Sequence, residues 1–401
     1  MHSATGTGRI ATSDGALIEP RRRVRRGRRT GFVLVAASAG LMLALSGCGA
    51  NSAGGGGGGG GGGATSGGAG GAKVGVILPD TASSARYESF DRPLLDKALR
   101  AEGLDPDIQN AQGDVQKFSQ LADGMINSGV KVLIIDSLNS ESGDAVAKKA
   151  QAAGIPVIDY DRLNLGGTSD YYVSFDATKI GEVQGRGLVM GVGDKPAANI
   201  IEIEGAATDN NATLVINGQK NVLKSKYDSG AYKVVGSQQI PDWNNQQAGS
   251  TFEQLLTANG GKVDGVLVAN DGMAGAVVTV LKKTGLAGKV PVTGQDATPD
   301  GLQAILRGDM FMTVFKPITQ EADATAKVAA ALAKGDKAAA DKLATATADD
   351  TKANRKVKSV LLDTVLITKA NVKQVVDAGG VKASEICVPD TQAACDQLGI
   401  K

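Results

Sequence analysis

The chain has 401 residues, 42% of them hydrophobic, and the roughly 330 residues from Lys73 onward are enough for two domains. Residues 1–47 hold eight arginines and two acidic side chains, whereas the rest holds 35 basic and 40 acidic ones, and this net acidic body argues against a nucleic-acid partner. Because His2 is the only histidine, the sequence excludes Ser-His-Asp or Cys-His catalysis and a histidine-ligated zinc site.

The first element is a basic and apolar leader. Arg21–Arg29 contains seven arginines, and Gly31–Leu45 is an apolar run shorter than the roughly 20 residues of a membrane span. The run ends in Leu45-Ser46-Gly47-Cys48, which resembles the lipobox of bacterial lipoproteins. We therefore predict a lipoprotein signal peptide over residues 1–47 and lipid on Cys48. The alternative is an ordinary signal peptide followed by a chance cysteine.

The next element, residues 48–72, is rich in glycine. It includes an unbroken glycine run from Gly54 to Gly63, and its Gly, Ser and Ala side chains cannot bury apolar surface. We expect a flexible, lipid-anchored linker that tethers the folded part of the chain outside the membrane.

Short apolar runs then alternate with longer amphipathic stretches. The runs that predict buried parallel strands are Val74–Leu78, Val132–Ile135, Ile155–Ile158, Ile200–Ile203, Val263–Val268 and Val290–Val292. The stretches between them carry helix patterns and end at glycine. This alternation predicts an α/β fold with two Rossmann-like lobes, each a doubly wound parallel sheet.

Two cysteines close the chain. Cys387 and Cys395 are eight residues apart, and in an oxidising compartment such a pair favours a disulfide over two free thiols. We expect this bridge to hold the C-terminal tail. The spacing and the lack of other ligands disfavour a metal or redox site.

Polar residues follow most of the predicted strands, where ligands of doubly wound sheets bind. These strand-end groups include Pro79-Asp80, Asp159-Tyr160-Asp161-Arg162, Asp209-Asn210-Asn211, Asn270-Asp271, Gln295-Asp296 and Lys316-Pro317. Each Asn or Asp could instead cap the helix that follows it. The occurrence of such groups at several strand ends favours a binding site.

Several motifs in this order identify a family. They are Ser83-Ser84-Ala85-Arg86-Tyr87, Tyr160-Asp161-Arg162, Tyr172-Val173-Ser174-Phe175-Asp176, Asp209-Asn210-Asn211-Ala212, Asp242-Trp243, Ala269-Asn270-Asp271, Gly294-Gln295-Asp296-Ala297 and Thr313-Val314-Phe315-Lys316-Pro317. From Lys73 to about Ala383 the chain resembles the periplasmic-type sugar-binding proteins of ABC importers, above all the xylose-binding and multiple-sugar-binding branch.

The resemblance implies a type I periplasmic binding protein fold, with two lobes joined by three chain crossings. The implied N-terminal lobe is 73–176 plus 317–362, and the implied C-terminal lobe is 177–316 plus 363–401. The implied sugar contacts are Arg86, Asp161, Arg162, Asn211, Trp243, Asn270, Asp296 and Lys316, with Tyr87 where the family usually has tryptophan.

These residue types suit a sugar. Each hydroxyl left unpaired in a closed cleft costs about 1–3 kcal/mol, so the site must supply many donors and acceptors. Trp243, the only tryptophan, would cover a C–H face of the ring, core packing being the alternative. Arg86, Arg162 and Lys316 nearly balance the aspartates among the implied contacts. That balance favours a neutral ligand.

We therefore predict an extracytoplasmic, lipid-anchored solute-binding protein, monomeric and without metal or cofactor, rather than an enzyme. It would capture a neutral monosaccharide and deliver it to the permease of an ABC importer. D-Xylose is the first choice of ligand, followed by glucose, galactose or arabinose. A sugar sensor for a signalling receptor is the alternative, and a sugar-active hydrolase a remote one.

Overall fold

A computed structural model describes residues 70–401. The predicted signal peptide, the predicted lipidation of Cys48 and nearly all of the predicted linker lie outside the described residues. Within residues 70–401 no helix has the length and apolar character needed to cross a membrane.

The described chain begins with alternating strands and helices. The elements of this first part are β1 Ala72–Leu78, α1 Arg92–Ala101, β2 Leu104–Asn110, α2 Val115–Asn127, β3 Val132–Ile135, α3 Ser140–Ala152, β4 Val157–Tyr160 and β5 Tyr171–Phe175. A π-helical turn over Tyr87–Asp91 precedes α1. The strands β1, β3, β4 and β5 are buried along their whole length or nearly so, because helices cover both faces of their sheet.

A second series of strands and helices follows β5. It consists of α4 Ala177–Val192, β6 Ala198–Glu204, α5 Asn210–Asp228, β7 Tyr232–Gln239, α6 Asn245–Ala258, β8 Gly265–Val268, α7 Asp271–Lys283, α8 Pro299–Arg307 and β9 Met312–Phe315. The remaining elements are α9 Ile318–Ala333, α10 Lys337–Leu343, β10 Ala346–Asp350, β11 Arg355–Leu362, β12 Val365–Thr368, α11 Lys373–Asp377, α12 Ala383–Ile386 and α13 Gln392–Leu398.

Two bodies result, which we name by their sheets. The first lobe contains a seven-stranded sheet in the order β10-β11-β5-β4-β3-β1-β2, parallel except for β10. The second lobe contains the parallel sheet β7-β6-β8 and the antiparallel pair β12-β9. The chain passes between the lobes at Asp176, at Lys316-Pro317 and at Asp363-Thr364.

The predicted strands agree with the structure in most cases. Val132–Ile135 matches β3, but the run Ile155–Ile158 begins early, because β4 starts only after Pro156. Val290–Val292 forms only a single bridge, from Val292 to Val266. Pro291 cannot donate a backbone hydrogen bond, which limits this segment's part in a ladder.

The C-terminal tail packs on the second lobe. The sulfur atoms of Cys387 and Cys395 are bonded, with the two Cα atoms 5.8 Å apart. Cys395 is buried, and its neighbours Ile386 and Ile400 belong to the same apolar cluster as β8 and α7. The bridge therefore links the last two helices where they cover this core.

Candidate functional site

A buried cavity lies between the two lobes, at the carboxyl ends of their strands. All nine residues predicted from the sequence to contact ligand line it: Arg86, Tyr87, Asp161, Arg162, Asn211, Trp243, Asn270, Asp296 and Lys316. Both lobes contribute to its wall, so a ligand here would touch both.

Arg86 is held by three carboxylates. Its Nη1 donates to Asp161 at 2.9 Å, its Nε and Nη2 donate to Asp91, and Nη2 also donates to Glu321 at 2.7 Å. Burial alone would lower the pKa of Arg86, but the three acidic neighbours outweigh it and raise the pKa well above its usual value. The guanidinium is therefore a fixed positive charge in the cavity wall.

Asp161 is the acceptor at the centre of the first lobe's wall. Its carboxylate accepts from Arg86 and, at 3.0 Å, from the hydroxyl of Tyr87. Burial alone would raise the pKa of Asp161, but the charges of Arg86, Lys316 and Arg162 hold it well below its usual range. The carboxylate is therefore ionised and able to accept from a hydroxyl group.

The backbone of Asp161 is strained and held in place. Its φ of 58° lies in the left-handed region, where a residue with a side chain is disfavoured. Its carbonyl accepts from Tyr172 Oη at 3.0 Å, Ser174 Oγ at 2.9 Å and Asn211 Nδ2 at 2.8 Å. Asn211 belongs to the second lobe, so the two lobes meet at this carbonyl.

Arg162 makes a second contact between the lobes. Its Nε lies 3.2 Å from Asp209 of the second lobe and 3.6 Å from Asp136 of the first. Its Nη2 donates to Tyr87 Oη at 3.1 Å. Burial lowers the pKa of Arg162, but Tyr87, Asp209 and the other acidic neighbours raise it well above its usual value.

Asp296 and Lys316 form the opposite wall. Lys316 Nζ lies 2.8 Å from Asp296 and 4.0 Å from Asp161, and it sits where the chain returns to the first lobe. Ser84 of the first lobe donates to Asp296 at 2.9 Å. Asp296 has a φ of 102°, a second strained backbone position in the cavity wall.

Asn270 both caps a helix and lines the cavity. Its Oδ1 accepts from the backbone of Met273 and caps α7, while its Nδ2 donates to the carbonyl of Ser83 in the first lobe. Asp209 likewise caps α5 through Asn211 and pairs with Arg162. Capping and lining the cleft are therefore compatible at these strand ends.

Trp243 lies in the wall with one edge anchored. It is 7% exposed, and its Nε1 donates to Asp209 at 3.2 Å. The far end of the indole packs against Gly205, where a Cβ atom would lie 2.2 Å from the ring. Gly205 therefore makes room for the indole, which is held at both ends and presents a fixed apolar surface.

The charges that line the cavity balance, because Asp161, Asp209 and Asp296 stand against Arg86, Arg162 and Lys316. Asp91, Asp136 and Glu321 also contact these cations but do not line the cavity. Burial raises the pKa of Glu321 to about 8, against the opposing effect of Arg86, and so disfavours its charged form. These three carboxylates and Asp209 are four acidic neighbours that the sequence did not indicate.

Sequence reasoning missed these four carboxylates for two reasons. Asp91 and Glu321 lie inside helical stretches, where acidic residues usually face solvent, and they become buried only when α9 packs against α1. Asp136 follows β3 without a motif of its own. Asp209 stands in a recognised strand-end motif but was not predicted to contact ligand.

The cavity's chemistry is that of recognition by hydrogen bonds. It presents ionised acceptors, fixed cationic donors, amide groups that do both and an indole face, all buried between two lobes. Such groups match a ring of hydroxyls with apolar C–H patches. Charges that are already paired across the cavity leave little to neutralise a strongly charged ligand.

Comparisons with known proteins agree with this chemistry. Residues 74–337 match the family model described as "Periplasmic binding protein domain". The D-xylose-binding periplasmic protein of Escherichia coli is 37% identical over 318 residues, which cover 78% of this chain and 92% of that protein. The multiple sugar-binding periplasmic receptor ChvE of Rhizobium radiobacter is 33% identical, covering 77% of this chain and 90% of that protein.

A solved structure shows the same architecture. An ABC transporter solute-binding protein from Clostridium phytofermentans, with bound β-D-glucose, superposes with a TM-score of 0.71 at 28% identity and covers 78% of this chain and 99% of that one. The relatives and the structural neighbour are solute-binding proteins rather than enzymes. The chain therefore belongs to the periplasmic binding protein family, as a sugar-binding protein of the ABC transport type with the type I fold.

Proposed function

We propose that this protein captures one neutral monosaccharide, with D-xylose preferred, between its two lobes and delivers it to the permease of an ABC importer. The observation that carries the proposal is the convergence of nine side chains from both lobes on one buried cavity. The identity to D-xylose-binding proteins of two species, at 37% and 35%, supports the choice of sugar.

Capture requires that sugar favour the closed arrangement. A ligand shifts an equilibrium between open and closed lobes only by its extra contacts in the closed state. Arg86 and Asp161 come from one side of the cavity, and Trp243 and Asn270 from the other. A sugar that hydrogen-bonds to both sets would close the lobes by rotation about the three chain crossings.

We propose the lobe limits implied by the family, 73–176 plus 317–362 and 177–316 plus 363–401. The sheet memberships support them, because β10 and β11 complete the first sheet and β12 pairs with β9 of the second lobe. On this division Lys316 is the last residue of the second lobe before a crossing. Its Nζ lies near Asp296 of its own lobe and Asp161 of the first lobe.

Family membership places the folded chain outside the cytoplasm. We propose that it acts as a monomer tethered to the membrane by lipid on Cys48, since the apolar run and the lipobox-like motif precede that cysteine. Metabolic labelling of producing cells with an alkyne fatty acid tests the anchor. Label lost in a Cys48→Ala variant supports it, and label retained in that variant contradicts it.

A thermal-shift panel tests the ligand. Purified protein is heated with D-xylose, D-glucose, D-galactose, L-arabinose and, as non-sugar controls, L-leucine and spermidine. Because a ligand that binds only the folded state stabilises it, D-xylose should raise the melting temperature most. A larger shift with another sugar would replace the preferred ligand, and a shift with only the controls would overturn the proposed function.

A further inference from the structure

Two buried glutamines lie behind the second lobe's part of the cavity. Gln184 of α4 is fully buried and Gln219 of α5 is 3% exposed. They meet because α4 and α5 approach at Gly181 and Gly218, where a Cβ atom would lie about 2 Å from a backbone oxygen of the other helix. Neither side chain lines the sugar cavity described above.

The amide of Gln184 reaches the backbone of two site-bearing loops. Its Nε2 donates to the carbonyl of Ala269 at 3.0 Å and to that of Gly294 at 3.1 Å. Ala269 directly precedes Asn270, and Gly294 precedes Gln295 and Asp296. One side chain therefore joins the two segments that carry the second lobe's polar contacts.

Few backbone contacts join these two segments. Val292 bridges Val266 before the two carbonyls, and the backbone N–H of Asp271 donates to the carbonyl of Gln295 at 3.0 Å beyond them. The second segment then turns through Asp296, with a φ of 102°, and Ala297, with a φ of 49°. Because such backbone persists only where its surroundings hold it, the Gln184 amide adds a restraint between these two backbone contacts.

Gln219 fixes the direction of the Gln184 amide. Its Nε2 donates to Gln184 Oε1 at 2.9 Å and to Glu204 Oε2 at 3.2 Å. With its oxygen engaged by Gln219, the Gln184 amide must direct its NH₂ group toward the two loop carbonyls. The three side chains form one chain of hydrogen bonds from β6 to the site.

We propose that Gln184 is a positioning residue for sugar binding, which holds Asn270 and Asp296 at the spacing that the ligand requires, and that Gln219 sets its orientation. This inference rests on the proposed function, because it presupposes that the cavity binds sugar. Gln184 itself touches no ligand and acts through the backbone of the two loops.

The test compares Gln184→Met with a matched control, Tyr232→Phe. Methionine keeps the length of the side chain but cannot donate. Tyr232 Oη donates to the carbonyl of Gly193, at the far end of the same helix α4, so its loss removes one hydrogen bond away from the cavity. D-Xylose affinity is measured through the fluorescence of Trp243, and the backbone amide NMR shifts of Asn270 and Asp296 are recorded without sugar.

The expected result is a dissociation constant raised roughly 10-fold in Gln184→Met, equivalent to about 1.4 kcal/mol, with displaced amide shifts. Tyr232→Phe should keep the affinity within 2-fold and leave those shifts in place. In the double variant Gln184→Met and Asn270→Ala, the dissociation constant should rise by less than the product of the two single-variant increases. Both substitutions disturb the same contact with the sugar, so their effects are not independent.

Unchanged affinity or unchanged amide shifts in Gln184→Met would overturn the positioning role. If Gln184→Met does not fold, Gln219→Met takes its place, with a smaller loss of affinity expected and unchanged affinity again contradicting the role. Failure of the unaltered protein to bind any sugar would instead reject the proposed function, so the two failures are distinguishable.

Discussion

Arg162 of the first lobe and Asp209 of the second lie 3.2 Å apart, from Nε to Oδ2, across the cleft. Asp209 also accepts from Trp243 and caps α5, so its carboxylate is fixed within its own lobe. The pair therefore exists only while the lobes are together. The ion pair therefore stabilises the closed arrangement together with any ligand that contacts both lobes.

Neutralising Asp209 should weaken sugar binding. Asp209→Asn keeps an oxygen that can cap α5 but removes the charge opposite Arg162, so the closed arrangement loses an ion pair. We expect the dissociation constant for D-xylose to rise roughly 10-fold, about 1.4 kcal/mol, in calorimetry. Asp242→Asn, the same substitution at an exposed residue next to Trp243 that does not line the cavity, should have less effect. Equal losses in the two variants would contradict this role of the pair.

Neutralising Asp136 should stabilise the protein. Both its oxygens lack a hydrogen bond within the described residues, and burial raises its pKa well above the usual value despite the nearby Arg162. Asp136→Asn removes a buried ionisable group that has no hydrogen-bond partner, and we expect the free energy of unfolding at pH 7 to rise by about 1 kcal/mol. Denaturant titration measures it.

The matched control for that prediction is Asp159→Asn. Asp159 is also buried at a strand end, but its oxygens accept from Asn164 and Ser169. This change should lower the free energy of unfolding, because an amide cannot satisfy all of those donors. Destabilisation of equal size in the two variants would show that the Asp136 carboxylate is satisfied.

The cavity should reject acidic sugars. Each cation that lines the cavity is already paired with a carboxylate, so a ligand carboxylate would be buried without a free cation to neutralise it. D-Glucuronate is the xylose ring with a carboxylate on C5, and D-glucose carries a neutral group of similar size at that position. Calorimetry should show glucuronate binding at least roughly 100-fold weaker than glucose, about 2.7 kcal/mol. Equal affinities would show that a cation of the cavity is free to pair with the ligand.

Stability should fall as pH rises through the neutral range. Burial, with a contribution from Glu202, raises the pKa of Glu204 to about 8 from an ordinary 4.5, against the opposing hydrogen bond from Gln219. Between these values the folded protein binds a proton that the unfolded chain has lost, so the free energy of unfolding decreases with pH. This slope measures the difference in bound protons between the folded and unfolded states. Glu204→Gln should reduce that difference by about one proton between pH 5 and 8.

Melting curves from pH 5 to 8 measure that slope, and Glu141→Gln at the surface of α3 controls for the loss of one carboxylate. A slope unchanged by Glu204→Gln would show that Glu204 is ionised in the folded protein at neutral pH.

The sequence predicted the part of the fold that depends on local pattern. Apolar runs such as Val74–Leu78 and Val132–Ile135 mark strands buried on both faces, and the structure confirms them. No apolar run in the sequence marks β7, most of which is not buried. The same is true of β2, an edge strand that contains Pro106. Those strands depend on their neighbours rather than on their own pattern.

The same distinction applies to the cavity. Asn270, Asp296 and Lys316 stand in motifs at strand ends, where the doubly wound fold brings ligands. Glu321 has no such mark, since its burial follows from the packing of α9 after the chain has crossed back to the first lobe. The cavity-lining residues in these motifs could be predicted, Asp209 excepted, whereas the residues that hold them from behind required the structure.

The most direct test of the account is a calorimetric titration of D-xylose into the unaltered protein and into Asp296→Ala. Asp296 lies in the cavity wall, where it pairs with Lys316 and accepts from Ser84 of the other lobe. We predict one D-xylose bound per chain and an affinity reduced at least roughly 10-fold in the variant, about 1.4 kcal/mol. Absence of binding to the unaltered protein, or equal affinity in the two, would contradict the claim that this cavity captures the sugar.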